Sequence, residues 1–182
     1  SDFLAAATVP ALADTVYLRL PQLHAKTGEP RRALALYGTY LKLRPKLKAE
    51  ILHRMAALYD QVDNPEAAQR PRLRLVDEHP KHYRARKALK KLPAPANSQR
   101  AWQYANIYYS TGSYKSAAKT LETFGRRYPK NKHAAEARYL LARAYQASGL
   151  YLKAQKAFEH IHKKDKRASA HYRIGGLLVK RN

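Results

Sequence analysis

Cysteine is absent from the 182 residues, which excludes disulfide frameworks, thiolate zinc sites and a thiol nucleophile. Glycine is scarce, with 7 residues, and no long stretch alternates apolar with polar residues or closes on an Asn-Gly hairpin signal. Helices are therefore expected in place of sheet. No run approaches 18 apolar residues, so the sequence offers no membrane-spanning helix. Carboxylates are also few: 13 Asp and Glu stand against 36 Lys and Arg, a formal net charge of +23.

The scarcity of carboxylates narrows the chemistry. Asp77 and Glu78 are the only adjacent pair. They sit within the basic stretch from Arg70 to Lys91, where local charge balance accounts for them better than a glycosidase pair does. Eight histidines include no His-Glu-x-x-His arrangement, and His160 and His162, two apart, would splay onto different faces of a helix. There is no phosphate-cradling glycine loop and no Gly-x-Ser-x-Gly elbow. No catalytic residue, metal site or cofactor is expected in this chain.

What the chain does have is apolar content of 45%, enough to bury a core, and a length that fits about five helical hairpins of roughly 34 residues. Its positive field attracts polyanions. That field does not separate nucleic acid from anionic lipid or acidic cell-wall polymers.

Sliding the chain against itself reveals a repeat. Four turns, beginning at Gly28, Asp63, Gly112 and Gly149, are each followed five residues on by an alanine: Ala33, Ala68, Ala117 and Ala154. Four past the alanine come Tyr37, Arg72, Leu121 and Phe158, and three later Tyr40, Leu75, Phe124 and Ile161. A closing proline follows at Pro45, Pro80 and Pro129. Four residues before the turn sit His24, Tyr59, Tyr108 and Tyr145.

Each piece has a physical reason. Gly or Asn at the turn lets the backbone leave the first helix through positive φ, and proline two residues on suits the first turn of the next helix. The alanine allows close approach of the paired helices, the bulky residues fill the gaps, and the last proline ends the second helix.

The turns are spaced by 35, 49 and 37 residues, so material is inserted between the second and third. Residues 81–92 read as one very basic helix and 93–97, Pro-Ala-Pro-Ala-Asn, as a stiff linker. The expected organisation is 1–92, a linker at 93–97, and 98–182. Phe3 to Ala13 has the apolar look of a secretory leader but lacks a basic start, and Pro10 interrupts it; the reading preferred is a first helix whose upstream sequence was cut away. Residues 168–182 restart the first helix of a fifth repeat, with Tyr172 and Leu178 in phase, so the chain is expected to be a fragment of something longer.

This pattern resembles the tetratricopeptide repeat, best over 98–165. The resemblance implies an all-α superhelix of about four hairpins with an extra basic helix and a truncated fifth repeat. It also implies a groove lined by the first helix of each hairpin, which here selects Trp102, Asn106, Tyr109, Tyr139, Arg143 and Tyr172 for protein or peptide partners. Aromatic faces beside Arg and Asn suit sugar rings as well. Asn106 has Trp102 where carboxylate-clamping repeats place lysine, which argues against chaperone-tail recognition. A second candidate surface is basic: Arg70, Arg72, Arg74, Lys81, Arg84, Arg86, Lys87, Lys90 and Lys91, suited to phosphate or carboxylate polymers. Nucleic acid is the weaker alternative partner.

A narrower resemblance rests on residues 12–18 (Leu-Ala-Asp-Thr-Val-Tyr-Leu), 74–80 (Arg-Leu-Val-Asp-Glu-His-Pro) and 134–145. These look like the N-terminal helical domain of bacterial soluble lytic murein transglycosylases. That resemblance implies a periplasmic, non-catalytic scaffold holding peptidoglycan or partner enzymes, with a Glu-Ser catalytic domain beyond residue 182. No Glu-Ser dipeptide occurs in this chain.

Overall fold

The computed structural model describes residues 10–165, and among them all regular structure is helical. The chain divides between Leu92 and Pro93 into two compact units. The first holds α1 (Pro10–Lys26), α2 (Pro30–Leu43), a 3-10 turn (Pro45–Leu47), α3 (Lys48–Gln61), α4 (Pro65–Glu78) and the short α5 (Tyr83–Leu89). The second holds α6 (Ser98–Ser110), α7 (Tyr114–Arg127), α8 (Ala134–Ala147) and α9 (Tyr151–Asp165). Within each unit every helix packs on its neighbours in sequence, and α5 also touches α3. This is a tetratricopeptide-like arrangement of helical hairpins. Tyr172 and the expected fifth repeat lie outside the described residues.

The four hairpin turns are built alike. Gly28, Gly112 and Gly149 take positive φ, and in the second turn it is Asp63 that does so, at 53°. The residue after each returns its amide to the carbonyl five residues back: Glu29 to His24 at 2.8 Å, Asn64 to Tyr59 at 2.9 Å, Ser113 to Tyr108 at 2.8 Å and Leu150 to Tyr145 at 2.9 Å. That is the Schellman closure, which satisfies carbonyls that the helix end would leave orphaned. The same residue then accepts, on its own carbonyl, the first bond of the next helix from the motif alanine: Ala33, Ala68, Ala117 or Ala154.

At the second turn asparagine was expected to supply the positive φ. Asn64 instead has φ −122° and caps α4, its side chain accepting from the Ala67 amide at 3.0 Å. Asp63, the preceding residue, takes the left-handed conformation, which Asp and Asn tolerate better than other side chains.

All four motif alanines are fully buried, so the second helix of each hairpin sits flush on the first. Tyr37, Leu121, Phe124, Phe158 and Ile161 fill the core at 2% exposure or less. The closing prolines each follow a helix-ending residue with φ near −130°, namely Arg44, His79 and Tyr128. Proline disfavours the helical region for the residue before it, and the helix stops there. Helix α5 is shorter than the 81–92 expected: His82 caps it, accepting weakly from the Arg84 amide at 3.3 Å, and it ends at Leu89.

Candidate functional site

In the second unit the expected groove residues lie on α6 and α8. Trp102 is half-buried, stacked on the His133 ring at 4.9 Å and 9°, and tilted against Phe124 at 5.8 Å. Its ring thus joins α6 to α7 and to the start of α8. Asn106 turns inward on its own helix, its Nδ2 donating to the Trp102 carbonyl at 2.8 Å. Tyr109 meets Tyr114 edge-on at 5.4 Å and carries the Arg143 guanidinium over its ring at 5.5 Å. Tyr139 meets the buried Phe158 edge-on at 6.0 Å. The structure brings Tyr109 and Arg143 together; Trp102 packs within its hairpin and onto the start of the next, and Tyr139 packs within its own.

The basic residues divide by fate, because the few carboxylates of the first unit draw arginines inward. Arg72, at the position where the repeat carries a bulky apolar side chain, is 5% exposed. Its Nη2 donates to both Asp60 oxygens at 2.5 Å, and Lys91 reaches Asp60 Oδ2 at 2.7 Å. Burial alone would raise the Asp60 pKa, but hydrogen bonds from Lys91 and Arg72 and their charges outweigh it, holding it below the usual carboxylate value. Arg84 pairs with Glu50, which also accepts from Arg54 Nε at 2.7 Å. Arg74 donates to Glu78 at 2.8 Å. The surface surplus is carried by Arg70, Lys81, Lys87 and Lys90, all exposed; Arg86 is half-buried.

A pair of adjoining hollows in the first unit was missed from sequence. They measure about 230 and about 520 Å3 and share Gln22, Lys26 and Arg54, from α1 and α3. Leu18 and Leu23 add apolar wall to the larger, and Ala57 and Gln61 line the smaller. The signal was available: the register that placed Trp102, Asn106 and Tyr109 before Gly112 places Leu18, Gln22 and Ala25 before Gly28. Arg54 is held between Glu50 and Tyr37, whose hydroxyl pKa is raised by burial although Arg54 opposes the rise. Its Nη1 has no hydrogen-bond partner.

A smaller hollow of about 170 Å3 between α3, α4 and α5 is lined by His53, Asp60, Arg72, Lys87 and Lys91 among others. Burial lowers the His53 pKa and the Arg84 charge adds to the effect, so its ring is neutral at pH 7. On the second unit Tyr145 donates to Glu122, and burial together with that bond raises its hydroxyl pKa far beyond physiological pH. No group of three metal-ligating side chains occurs among the described residues, and none of the described helices is long and apolar enough to cross a membrane. What the α1/α3 hollow offers is amide, ammonium and guanidinium donors around a leucine wall.

No protein-family model matches this sequence, and no curated protein does. The chain is similar in fold to the solved structure of MamA residues 41 to the end from Desulfovibrio magneticus RS-1, at 20% identity over 92% of this chain and 84% of that one, with a TM-score of 0.43. It is likewise similar to YrrB, described as a TPR protein with an unusual peptide-binding site, at 19% identity over 91% and 76% of the two chains and a TM-score of 0.43. A tetratricopeptide repeat protein from Parabacteroides merdae ATCC 43184 aligns at 17% identity over 96% of this chain and 61% of its own, with a TM-score of 0.36.

Proposed function

We propose that this chain is a binding scaffold for a protein partner, received as an extended peptide segment on the first helices of its hairpins. The observation that carries the reading is the α1/α3 hollow, where Gln22, Lys26 and Arg54 surround Leu18 and Leu23. Helix side chains fixed by the packed hairpins present their donors in a set geometry, which limits the ordering a bound segment imposes. Donors flanking an apolar wall favour a segment that alternates carboxylate or carbonyl acceptors with apolar side chains. On the second unit the Tyr109–Arg143 pair adds a cationic face whose ring is already in use.

Affinity capture from the source cell's lysate tests this. The wild-type chain is expected to retain a defined partner that is lost with Lys26→Glu/Arg54→Glu and weakened with Arg143→Ala. Equal retention by all variants removes these faces from the account. Trp102→Ala is a poor probe of the same question, because the ring is part of the packing.

A narrower reading, the helical part of a periplasmic murein transglycosylase, rests on the sequence resemblance of residues 12–18, 74–80 and 134–145 and on a cationic surface suited to cell-wall carboxylates. It carries a cell-envelope location with it. In the same experiment purified sacculi replace the lysate: under this reading the wild-type chain sediments with them at low salt, and a chain that stays in the supernatant sinks it.

A further inference from the structure

A separate cavity lies among the second helices of the first unit's hairpins, and none of the three hollows described above shares a lining residue with it. It occupies about 500 Å3 between α2 and α4, and α3 and Pro45 of the 3-10 turn contribute the rest of its lining. Buried Leu52 and Pro71, with half-buried Met55, supply its apolar surface. Four cations line it as well: Lys42, Lys48, Arg70 and Arg74. Against them stands Glu78, which takes Arg74 at 2.8 Å and feels the charge of Lys48. Among the described residues, Lys42 and Arg70 have no carboxylate partner.

Two further details bear on what fits. Pro71, inside α4, has no N–H, so the helical bond that residue 71 would donate to the Ala67 carbonyl is missing; Ala67 and Pro71 both line the cavity. The pyrrolidine ring stands against that carbonyl and adds to the apolar lining. Gly38 forms part of the α2 side, and a Cβ placed there meets nothing within 4 Å. The open volume thus extends to the helix backbone.

We propose that this cavity is a second binding site, specific for an acidic peptide in which an apolar side chain is flanked by carboxylates. The apolar side chain enters against Leu52, Met55 and Pro71, and the carboxylates meet Lys42, Lys48 and Arg70. An aliphatic lining with one aromatic, Tyr59, favours such a peptide over single-stranded nucleic acid, which relies on aromatic platforms for successive bases.

The test uses fluorescence anisotropy of the whole chain with a labelled Glu-Leu-Glu-Glu-Met-Glu hexapeptide, hexaglutamate and a short oligouridylate, at physiological salt. The mixed hexapeptide is expected to bind about tenfold more tightly than hexaglutamate, because each tenfold asks only for a modest burial of apolar surface. Gly38→Leu should weaken it about tenfold by filling the cavity, while the melting temperature holds or rises, since leucine is the better helix former. If that variant lowers the melting temperature, Lys42→Glu/Arg70→Glu decides instead, with the same expected loss. Lys115→Glu/Lys119→Glu, equal in charge but in the second unit, should change binding by less than about twofold, as should Lys26→Glu on exposed α1 surface.

Several results overturn the site: no hexapeptide binding, no preference over hexaglutamate, a correctly folded Gly38→Leu chain that binds as before, or equal loss in the two double reversals. Loss with Lys26→Glu assigns the peptide to the α1/α3 hollow instead. Oligouridylate bound as tightly as the hexapeptide and lost with the same variants makes the cavity a nucleic-acid site. The scaffold reading is tested separately, by partner capture with the Lys26 and Arg54 variant, and it stands even where the α2/α4 cavity binds nothing.

Discussion

Asp60→Ala is expected to destabilise the first unit by about 3–5 kcal/mol, the range seen when one partner of a buried ion pair is removed. Arg72 is 5% exposed, and its Nη2 lies 2.5 Å from both Asp60 oxygens. Without the carboxylate, a guanidinium stays in the hairpin interior with its charge uncompensated. Arg72→Met removes the charge along with its need for a partner and keeps similar volume. Asp60, with 26% side-chain exposure and Lys91 still at 2.7 Å, tolerates the loss, so this variant should be neutral or stabilising. Combining the two substitutions should recover most of the stability lost by Asp60→Ala alone.

Urea and thermal unfolding followed by circular dichroism give the comparison, and an Asp60→Ala chain within about 1 kcal/mol of wild type refutes the account. The sign of the pH dependence follows from the same pair. The folded Asp60 titrates below its unfolded value, so its contribution is complete above the ordinary carboxylate pKa of about 3.9 and disappears as pH falls through the lower folded value. Glu78, lowered chiefly by its hydrogen bond from Arg74, acts in the same direction.

Phe124→Ala should cost about 3–5 kcal/mol in the second unit, the cost of truncating a fully buried aromatic that neighbours cannot collapse around. Phe124 is 0% exposed, with Trp102 at 5.8 Å and Tyr128 at 5.5 Å. The chain has a single tryptophan, so tryptophan emission is read from the second unit alone. The variant should shift that emission's unfolding midpoint to lower urea and soften the Trp102–His133 stack. A midpoint change equivalent to less than about 1.5 kcal/mol means that the α6–α7–α8 packing does not depend on this ring.

Local chemistry made most of the hairpin architecture legible in the sequence. A turn residue, an alanine five later and a closing proline are each fixed by backbone geometry within a few residues, and all four alanines are indeed buried. Which of Asp63 and Asn64 adopts the left-handed conformation was not legible, because both types accept it and the difference lies in which side chain can reach the Ala67 amide. Arg72 shows the larger gap. Along the chain it belongs both to the repeat's bulky positions and to a basic stretch; in the fold it takes the first place, 5% exposed, because Asp60, twelve residues earlier, faces it from the paired helix. Such cross-helix pairing has no periodic signature. For the same reason a count of cations overstated the continuous basic surface, while the α1/α3 hollow followed from the register of the turns and only needed it applied to the first hairpin.

The residue that closes each Schellman turn also opens the following helix, and this has a consequence for amide exchange. Glu29, Asn64, Ser113 and Leu150 each donate to one helix and accept from the next, so fraying of either helix at the joint disturbs both. Although Glu29, Asn64 and Leu150 are exposed, their amides should exchange with deuterium as slowly as those well inside the helices, and should do so in step with the motif alanine four residues on. Exchange as fast as in the 93–97 segment would mean that the helices open separately; matched slow exchange makes the hairpin the smallest piece that comes undone.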